Sequence, residues 1–264
     1  MIEDEPPKHE TKTIAERLLG KNAMRPALAK RFYKTADIAA AALDGEPRFG
    51  IVLDGRLVKT PAKKPLQVSS QAFAQAIAAE WARQESVIDP ATMPLTRIAN
   101  TALDAVAGMM PEVAADIANF AGSDLLCYRA EGPQALVARQ AAAWDPVLDW
   151  VRKDLGARFV LAQGIVPVDQ PALSLEKFSS ALGAYEAFQL TSLHVITTLT
   201  GSALLALAHA RAVLSREAVW AAAHVDEDWQ IEQWGFDEEA QERRATRWTE
   251  FEAASQVLAF TKKG

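Results

Sequence analysis

A chain of 264 residues, half of them hydrophobic and 23% charged, can bury a full core, which excludes disorder and allows one large domain or two smaller ones. A formal net charge of −6 excludes a dominant nucleic-acid partner, because a phosphate backbone demands a basic face. The single cysteine, Cys127, excludes an internal disulfide and a cysteine-rich zinc site, and it fits a reducing compartment.

The first twenty residues, "MIEDEPPKHETKTIAERLLG", lack the apolar core of a signal peptide, and their early acids disfavour an organellar transit sequence. They read as a polar arm, so the expected location is the cytoplasm, or the mitochondrial matrix for a eukaryotic chain whose presequence is gone. Residues 31 to 68 read as β. "RFYKTADIAAA" suits a first strand, Asp44-Gly45 a turn, and "FGIVLDGRLVKT" a hairpin around Asp54-Gly55. That turn would set Val52 opposite Leu57 and Ile51 opposite Val58, and "LQV" before Ser69 would be a last strand. Such a sheet is too small to be stable without further packing.

From Ser69 the period becomes helical. Ser69 or Ser70 caps a helix with Phe73, Ile77 and Trp81 on one face. Pro94 opens the next, carrying Leu95, Ile98, Ala102 and Val106, and Pro111 opens another with Val113, Ile117 and Phe120. Leu136, Gln140 and Trp144 continue the pattern up to Asp145-Pro146, where Asp as cap and Pro at the first position predict a fresh helix ending near Gly156. "ARFVLAQGIVPVDQPA" reads as a connector with strand-like pieces. Ser174 is the predicted cap of a helix bearing Leu175, Phe178, Leu182 and Tyr185. "LTSLHVITTLTGSALLALAHA" (190–210) has no Asp, Glu, Lys or Arg and could span a bilayer by length. Its threonines, serines and histidines favour a core helix buried on all sides, because polar groups are costly in lipid. Ser215 caps a helix that runs to Gly235, and Asp237 caps the last, with Trp248, Phe251 and Leu258 facing inward. The predicted class is α+β: a small N-terminal β-rich domain with the arm (1–68), then a larger all-α domain (69–264).

Chemistry is sparse. No phosphate-binding Gly-rich loop follows a strand, and neither "GxSxG" nor "HExxH" occurs. His9 lies in the arm, while His194 and His209 fall in the apolar segment, where a backbone carbonyl partner is the plain expectation. His224 and Asp228 share a helix face at i, i+4 and give only half a metal site. Cys127 sits in "DLLCY" and reads as a buried, inert thiol. No cofactor is implied.

"HVDEDWQIEQWGFDEEAQ" (224–241) holds seven carboxylates: Asp226, Glu227, Asp228, Glu232, Asp237, Glu238 and Glu239. The last three suit the first turn of a helix, where the dipole favours negative charge, and Glu239 can pair with Arg243. Asp226 and Asp228 read as rim charges and Glu232 as a core-side edge. At about 100° per residue, Ala218, Ala222, Val225 and Trp229 form a core stripe. Trp220, Ala223, Glu227, Ile231 and Trp234 form a second. Spacing leaves two readings of the second stripe open. It is buried with Glu227 reaching Arg243, Arg244 or Arg247, or it is a partly exposed aromatic patch for another protein.

Several separated motifs bear on that choice: "LVKTP" (57–61), "AAEW" (78–81), "MPLTRIANTALD" (93–104), "DLLCYR" (124–129), "WDPVLDW" (144–150) and "WQIEQWG" (229–235). In this order and spacing, over roughly residues 47 to 255, the chain resembles the assembly chaperones that hold the alpha subunit of the ATP synthase catalytic head. Such chaperones occur in mitochondria and in the bacteria related to their ancestor. The resemblance implies a two-domain fold and no enzymatic activity. It also implies a transient partner, the ATP synthase alpha subunit, whose apolar beta-facing surface is shielded without ATP. Glu227, Trp234, Ile231 and Trp220 are then the partner-contact candidates, and Trp81, Arg129, Trp144 and Asp145 the structural motif residues. "FDEEAQERR" stands where mitochondrial members tend to carry an aromatic and His-Asp element, so contacts of that element do not transfer. The competing readings are a small-molecule enzyme with an acid-lined cleft between the domains and a membrane-associated factor using 190–210.

Overall fold

The computed structural model describes residues 27–43, 46–164, 167–235 and 237–262. The arm, His9 and the Asp44-Gly45 turn lie outside the described residues. The architecture is the predicted α+β arrangement, a small sheet followed by helices. Strands β2 (Ala36–Leu43) and β3 (Glu46–Leu53) pair antiparallel from Ala36 opposite Leu53 to Leu43 opposite Glu46. Asp54 and Gly55 take φ of 47° and 78°, the left-handed pair that a tight two-residue turn needs. The chain therefore returns as β4 (Arg56–Leu57), with Val52 opposite Leu57 and the Val58 N–H donating to the Ile51 carbonyl at 2.8 Å. Both pairings are the expected ones. The Asp54 carboxylate accepts from the Lys34 and Thr35 N–H groups, which holds its pKa below the usual carboxylate range. β5 (Gln67–Val68) joins β3 at Phe49. A separate two-residue pair links β1 (Ala29–Lys30) to β6 (Val87–Ile88), too short to leave a periodic trace in the sequence.

Helix α1 (Gln71–Ala82) starts at Ser70, whose Oγ accepts from the Phe73 N–H, and it buries Phe73 and Ile77. Helix α2 (Pro94–Asp104) has proline at its first position, as predicted, but no side-chain cap of its own. Glu80 supplies one from α1. Its buried carboxylate accepts from the Leu95 and Thr96 N–H groups at 2.7 and 2.8 Å and from the Thr96 hydroxyl at 2.7 Å. Burial pushes the Glu80 pKa up against these three bonds. Helix α3 (Met110–Ala121) has Pro111 in its first turn.

Helix α4 (Gln134–Asp154) corrects the predicted restart at Asp145-Pro146: Pro146 lies inside one continuous helix. Pro146 and Ala142, whose carbonyl loses its N–H partner there, are both exposed, so the missing bond falls on the solvent side of the helix. Buried Trp144, Val147 and Val151 hold the two halves on one axis. Helix α5 (Ala172–Leu182) corrects the Ser174 cap. It begins earlier, behind Pro171, and Ser174 instead exchanges two bonds with Arg158, accepting at 2.9 Å and donating at 2.6 Å. Nearby, β7 (Tyr128–Arg129) and β8 (Ala162–Gln163) form a short parallel pair.

The 190–210 segment is buried as expected, but as two helices, α6 (Ala187–Thr200) and α7 (Ala203–Ala210). Gly201, at φ 69°, takes a left-handed turn between them, and Ser202 caps α7 by accepting from the Leu205 N–H. α6 packs against α2, α3 and α7, and also against the long last helix α10 (Glu238–Phe260). Among the described residues no helix is long and apolar enough to cross a membrane. One hydrophobic core runs from Ile51, Leu66 and Val68 through Phe73 and Ile77 to Leu193, Leu205 and Phe251.

Candidate functional site

The stretch that runs from Ser215 to Gly235 is two helices, α8 (Arg216–Ala223) and α9 (Val225–Trp234), hinged at His224 with φ −116° and ψ 19°. That hinge breaks the angular count on which both predicted stripes rest. Ala218 is exposed, and Val219, Ala222 and Val225 are the buried positions. Trp220 is half-buried against Trp248 and Phe251, each 5.2 Å away, and over His224 at 4.0 Å. Trp229 lies under the Arg139 guanidinium at 5.1 Å.

Glu227, Ile231 and Trp234 do come together. They line a cleft of about 490 Å³ with Gln241 and Arg244, between α9 and the start of α10. Trp220 is not among the lining residues. Trp234 is 80% exposed, the most open large apolar side chain among those described. Gly235, at φ 83°, turns the chain there, and Asp237 restarts it by accepting from the Glu239 and Ala240 N–H groups.

The seven acids separate by partner. Asp228 holds Arg244 at 2.5 Å, and Asp226 accepts from the Gln140 amide at 2.7 Å. Glu232 grips Arg139 through both oxygens at 2.7 and 2.8 Å, facing outward rather than along a core edge. Glu239 pairs with Arg243 at 2.5 Å, as the spacing predicts, and Glu238 sits in the first turn of α10. Glu227 lies within ion-pair distance of one charged group, Arg244, and accepts no hydrogen bond among the described residues. Arg244 Nη1 is 3.9 Å away and committed to Asp228, and His224 Nε2 is 3.8 Å away. His224 donates from Nδ1 to the Trp220 carbonyl at 2.7 Å, and burial pushes its pKa down, so the imidazole stays neutral. Of the His224–Asp228 pair at i, i+4, Asp228 is committed to Arg244, and His224 Nε2 is buried with no hydrogen-bond partner among the described residues.

The motif residues form joints. Trp144 is fully buried and donates from Nε1 to the Ala222 carbonyl at 2.7 Å, which fixes α8 on α4. Arg129 lies over the Trp144 ring at 5.2 Å and pairs with Asp145 at 2.7 Å. Trp81 is half-buried, edge-on to Tyr33 at 5.8 Å. Sequence reasoning missed three carboxylates inside the quoted motifs. Asp104 accepts from the Thr60 hydroxyl at 2.6 Å and the Ala62 N–H at 2.9 Å, Glu80 caps α2, and Asp124 caps α7. Their signal is position: each lies in one motif and binds another segment. His194 finds the Asp116 carboxylate at 2.9 Å rather than a backbone carbonyl. His209 joins the Leu214 carbonyl and the Ser255 hydroxyl. Cys127 is buried, and burial with the nearby Asp124 charge pushes its thiol up to about 12, so it is inert as predicted.

The ATP12 chaperone protein family profile matches residues 30–152. The crystal structure of a candidate chaperone from Agrobacterium tumefaciens is 46% identical, with a TM-score of 0.83 over 94% of this chain and 94% of that one. The chain belongs to the ATP12 chaperone family. Crystal structures of Atp12 from Paracoccus denitrificans and of a mutant of it are each 38% identical, with TM-scores of 0.80 over 89% of this chain. They are matched over 98% or 99% of their own lengths. As an ATP12-family protein this chain is a chaperone, the role its motifs imply. The family profile ends before the Glu227–Trp234 cleft, whereas the likeness to the solved Atp12 structures covers 89% of the chain.

Proposed function

We propose that this ATP12-family chaperone binds the unassembled alpha subunit of the ATP synthase catalytic head in the bacterial cytoplasm. It covers the apolar surface that the beta subunit later occupies, without ATP and without catalysis. The observation that carries the reading is Trp234, 80% exposed beside Glu227 and Ile231 in one open cleft. An aromatic ring exposes a large contact area with few rotors to freeze, and a charged rim orients a partner without a permanent, core-like seal. Moderate affinity lets the beta subunit displace the holder by offering a larger interface. Trp220 serves from beneath, packing the His224 ring that starts α9 and so setting the direction of Glu227. The test is co-expression with cognate alpha and beta subunits and affinity capture of this chain. Alpha co-purifies in the absence of beta and is released when beta is supplied; alpha that aggregates unchanged and does not co-purify overturns the reading.

A further inference from the structure

A second cleft, of about 740 Å³, lies where the sheet meets the helices. Arg48 of β3 and Lys64 stand on one side, Met110 of α3 and Phe188 of α6 line its apolar part, and Phe260 and Lys262 close it at the end of α10. Phe188 and Phe260 both rest on fully buried Phe73, edge-on at 5.7 Å and stacked at 5.6 Å. The aromatic floor is therefore rigid. The cationic rim is out of keeping with the chain, which carries a net charge of −6, for Glu186 is the only acid against Arg48, Lys64 and Lys262 among the lining residues described.

Part of this has a plain explanation. Lys64 donates to the Leu103 carbonyl at 2.6 Å, and Lys262 follows the last turn of α10, so both answer the negative ends of helices. Arg48 does not fit that account. It stands on a strand, and its Nε is buried with no hydrogen-bond partner among the described residues. A buried donor without an acceptor is a cost that an incoming carboxylate relieves, and a guanidinium edge takes a carboxylate through two parallel bonds.

We propose that this cleft is a second polypeptide-binding site, taking an extended acidic and apolar segment of a client chain. An apolar side chain of that segment lies on the Phe188–Phe260 floor, and its Asp or Glu carboxylate meets Arg48 and Lys64. The site goes beyond the Trp234 reading and does not depend on it. It also complements it, because the Trp234 cleft is lined by two carboxylates, Glu227 and Asp237, against one arginine, Arg244, and this one has a cationic rim. A client would then be held at two places by opposite signs, which fixes its orientation.

The probe is a fluorescein-labelled decapeptide of alternating glutamate with leucine and phenylalanine, followed by anisotropy against the full chain, with a lysine-for-glutamate peptide as control. Saturable binding of the acidic peptide alone is expected. Combined Lys64→Glu and Lys262→Glu should weaken it at least tenfold at some cost in stability, since both lysines sit at helix C-termini. Ala107→Trp, which fills the cleft, should weaken it as much with the unfolding midpoint unchanged. Trp234→Ala should leave it unaltered. Equal binding of the basic peptide, indifference to the double charge reversal, or loss with Trp234→Ala overturns the proposal. So does a dimer, seen by sedimentation, that the charge reversals dissociate, for then the occupant is a second copy. A tenfold gain on deletion of residues 1–26 also overturns it, since the chain's own segment then fills the site. The assay contains no alpha subunit, so its failure and the failure of the alpha reading are separate results.

Discussion

Asp124 is fully buried behind α3, where it accepts from the Leu126 N–H at 3.1 Å, the Ser202 hydroxyl at 2.7 Å and the Leu204 N–H at 3.0 Å. These donors favour the ionised form, but burial outweighs them and raises the pKa to about 6. The native carboxyl thus holds its proton to higher pH than the unfolded one does. Its stabilising contribution is present in acid and is lost as pH rises through the native value. Asp124→Asn keeps one oxygen for Leu126 and Ser202 but brings an amide N–H against the Leu204 N–H. It should cost on the order of 3 kcal/mol at pH 4.5. The gap between wild type and variant should narrow by on the order of 2 kcal/mol between pH 4.5 and pH 7. Urea unfolding at both pH values measures it, and a gap flat in pH would contradict the raised pKa. Glu227 and Trp234 make the opposite case: Glu227 is half-buried and only loosely paired with Arg244 at 3.9 Å, and Trp234 is exposed. Glu227→Lys and Trp234→Ala should each lower alpha capture about tenfold, roughly 1.4 kcal/mol. The unfolding midpoint should move by no more than about 2 °C. A large loss of stability would mean that the cleft is a packing feature.

The sequence predicted elements best where a local rule decides the outcome. Ser70, Pro94, Asp237 and the Asp54-Gly55 turn act through their nearest neighbours, and all four stand where expected. Prediction failed where tertiary contacts override the local signal. Pro146 looked like a helix start, yet Trp144 and Val147, buried on the two sides of it, carry α4 straight through. Ser174 looked like a cap, yet Arg158 claims its hydroxyl. The hinge at His224 carries no strong breaker, so nothing in the pattern warned that Trp220 and Trp234 would part. If α4 is continuous, Pro146→Ala restores the bond to the Ala142 carbonyl and removes the ring clash. The freer unfolded chain offsets part of that gain. A net stabilisation of about 1 kcal/mol is expected, a rise of roughly 2–4 °C in midpoint for a chain this size. A neutral or destabilising result would restore the two-helix reading.

Across the whole molecule, the motifs that identify the family are its joints: Thr60 to Asp104, Glu80 to Leu95 and Thr96, Asp124 to Ser202, Arg129 to Asp145. Their long sequence separations explain why each looked weak alone and why composition could not find them. They also bear on the proposed division into residues 1–68 and 69–264, because the first joint crosses it and the core holds Ile51 and Val68 together with Phe73 and Ile77. We therefore expect the two units to be distinct in sequence and in strand or helix content, yet to unfold together. All seven tryptophans lie beyond residue 68, so apart from Trp81, which packs on Tyr33, their fluorescence reports the helices, while amide exchange at Ile51, Val52 and Leu53 reports the sheet. The free energy from urea-induced fluorescence change should equal that from exchange at those amides, within about 1 kcal/mol. Asp104→Ala, which cuts the Thr60 and Ala62 bonds, should lower both together by about 1–3 kcal/mol. If exchange in the sheet instead proceeds at a much lower free energy than the fluorescence transition, the sheet opens by itself. The cation-rimmed cleft between the units would then widen without loss of the helical core, and its affinity for an acidic segment would follow the sheet's own stability.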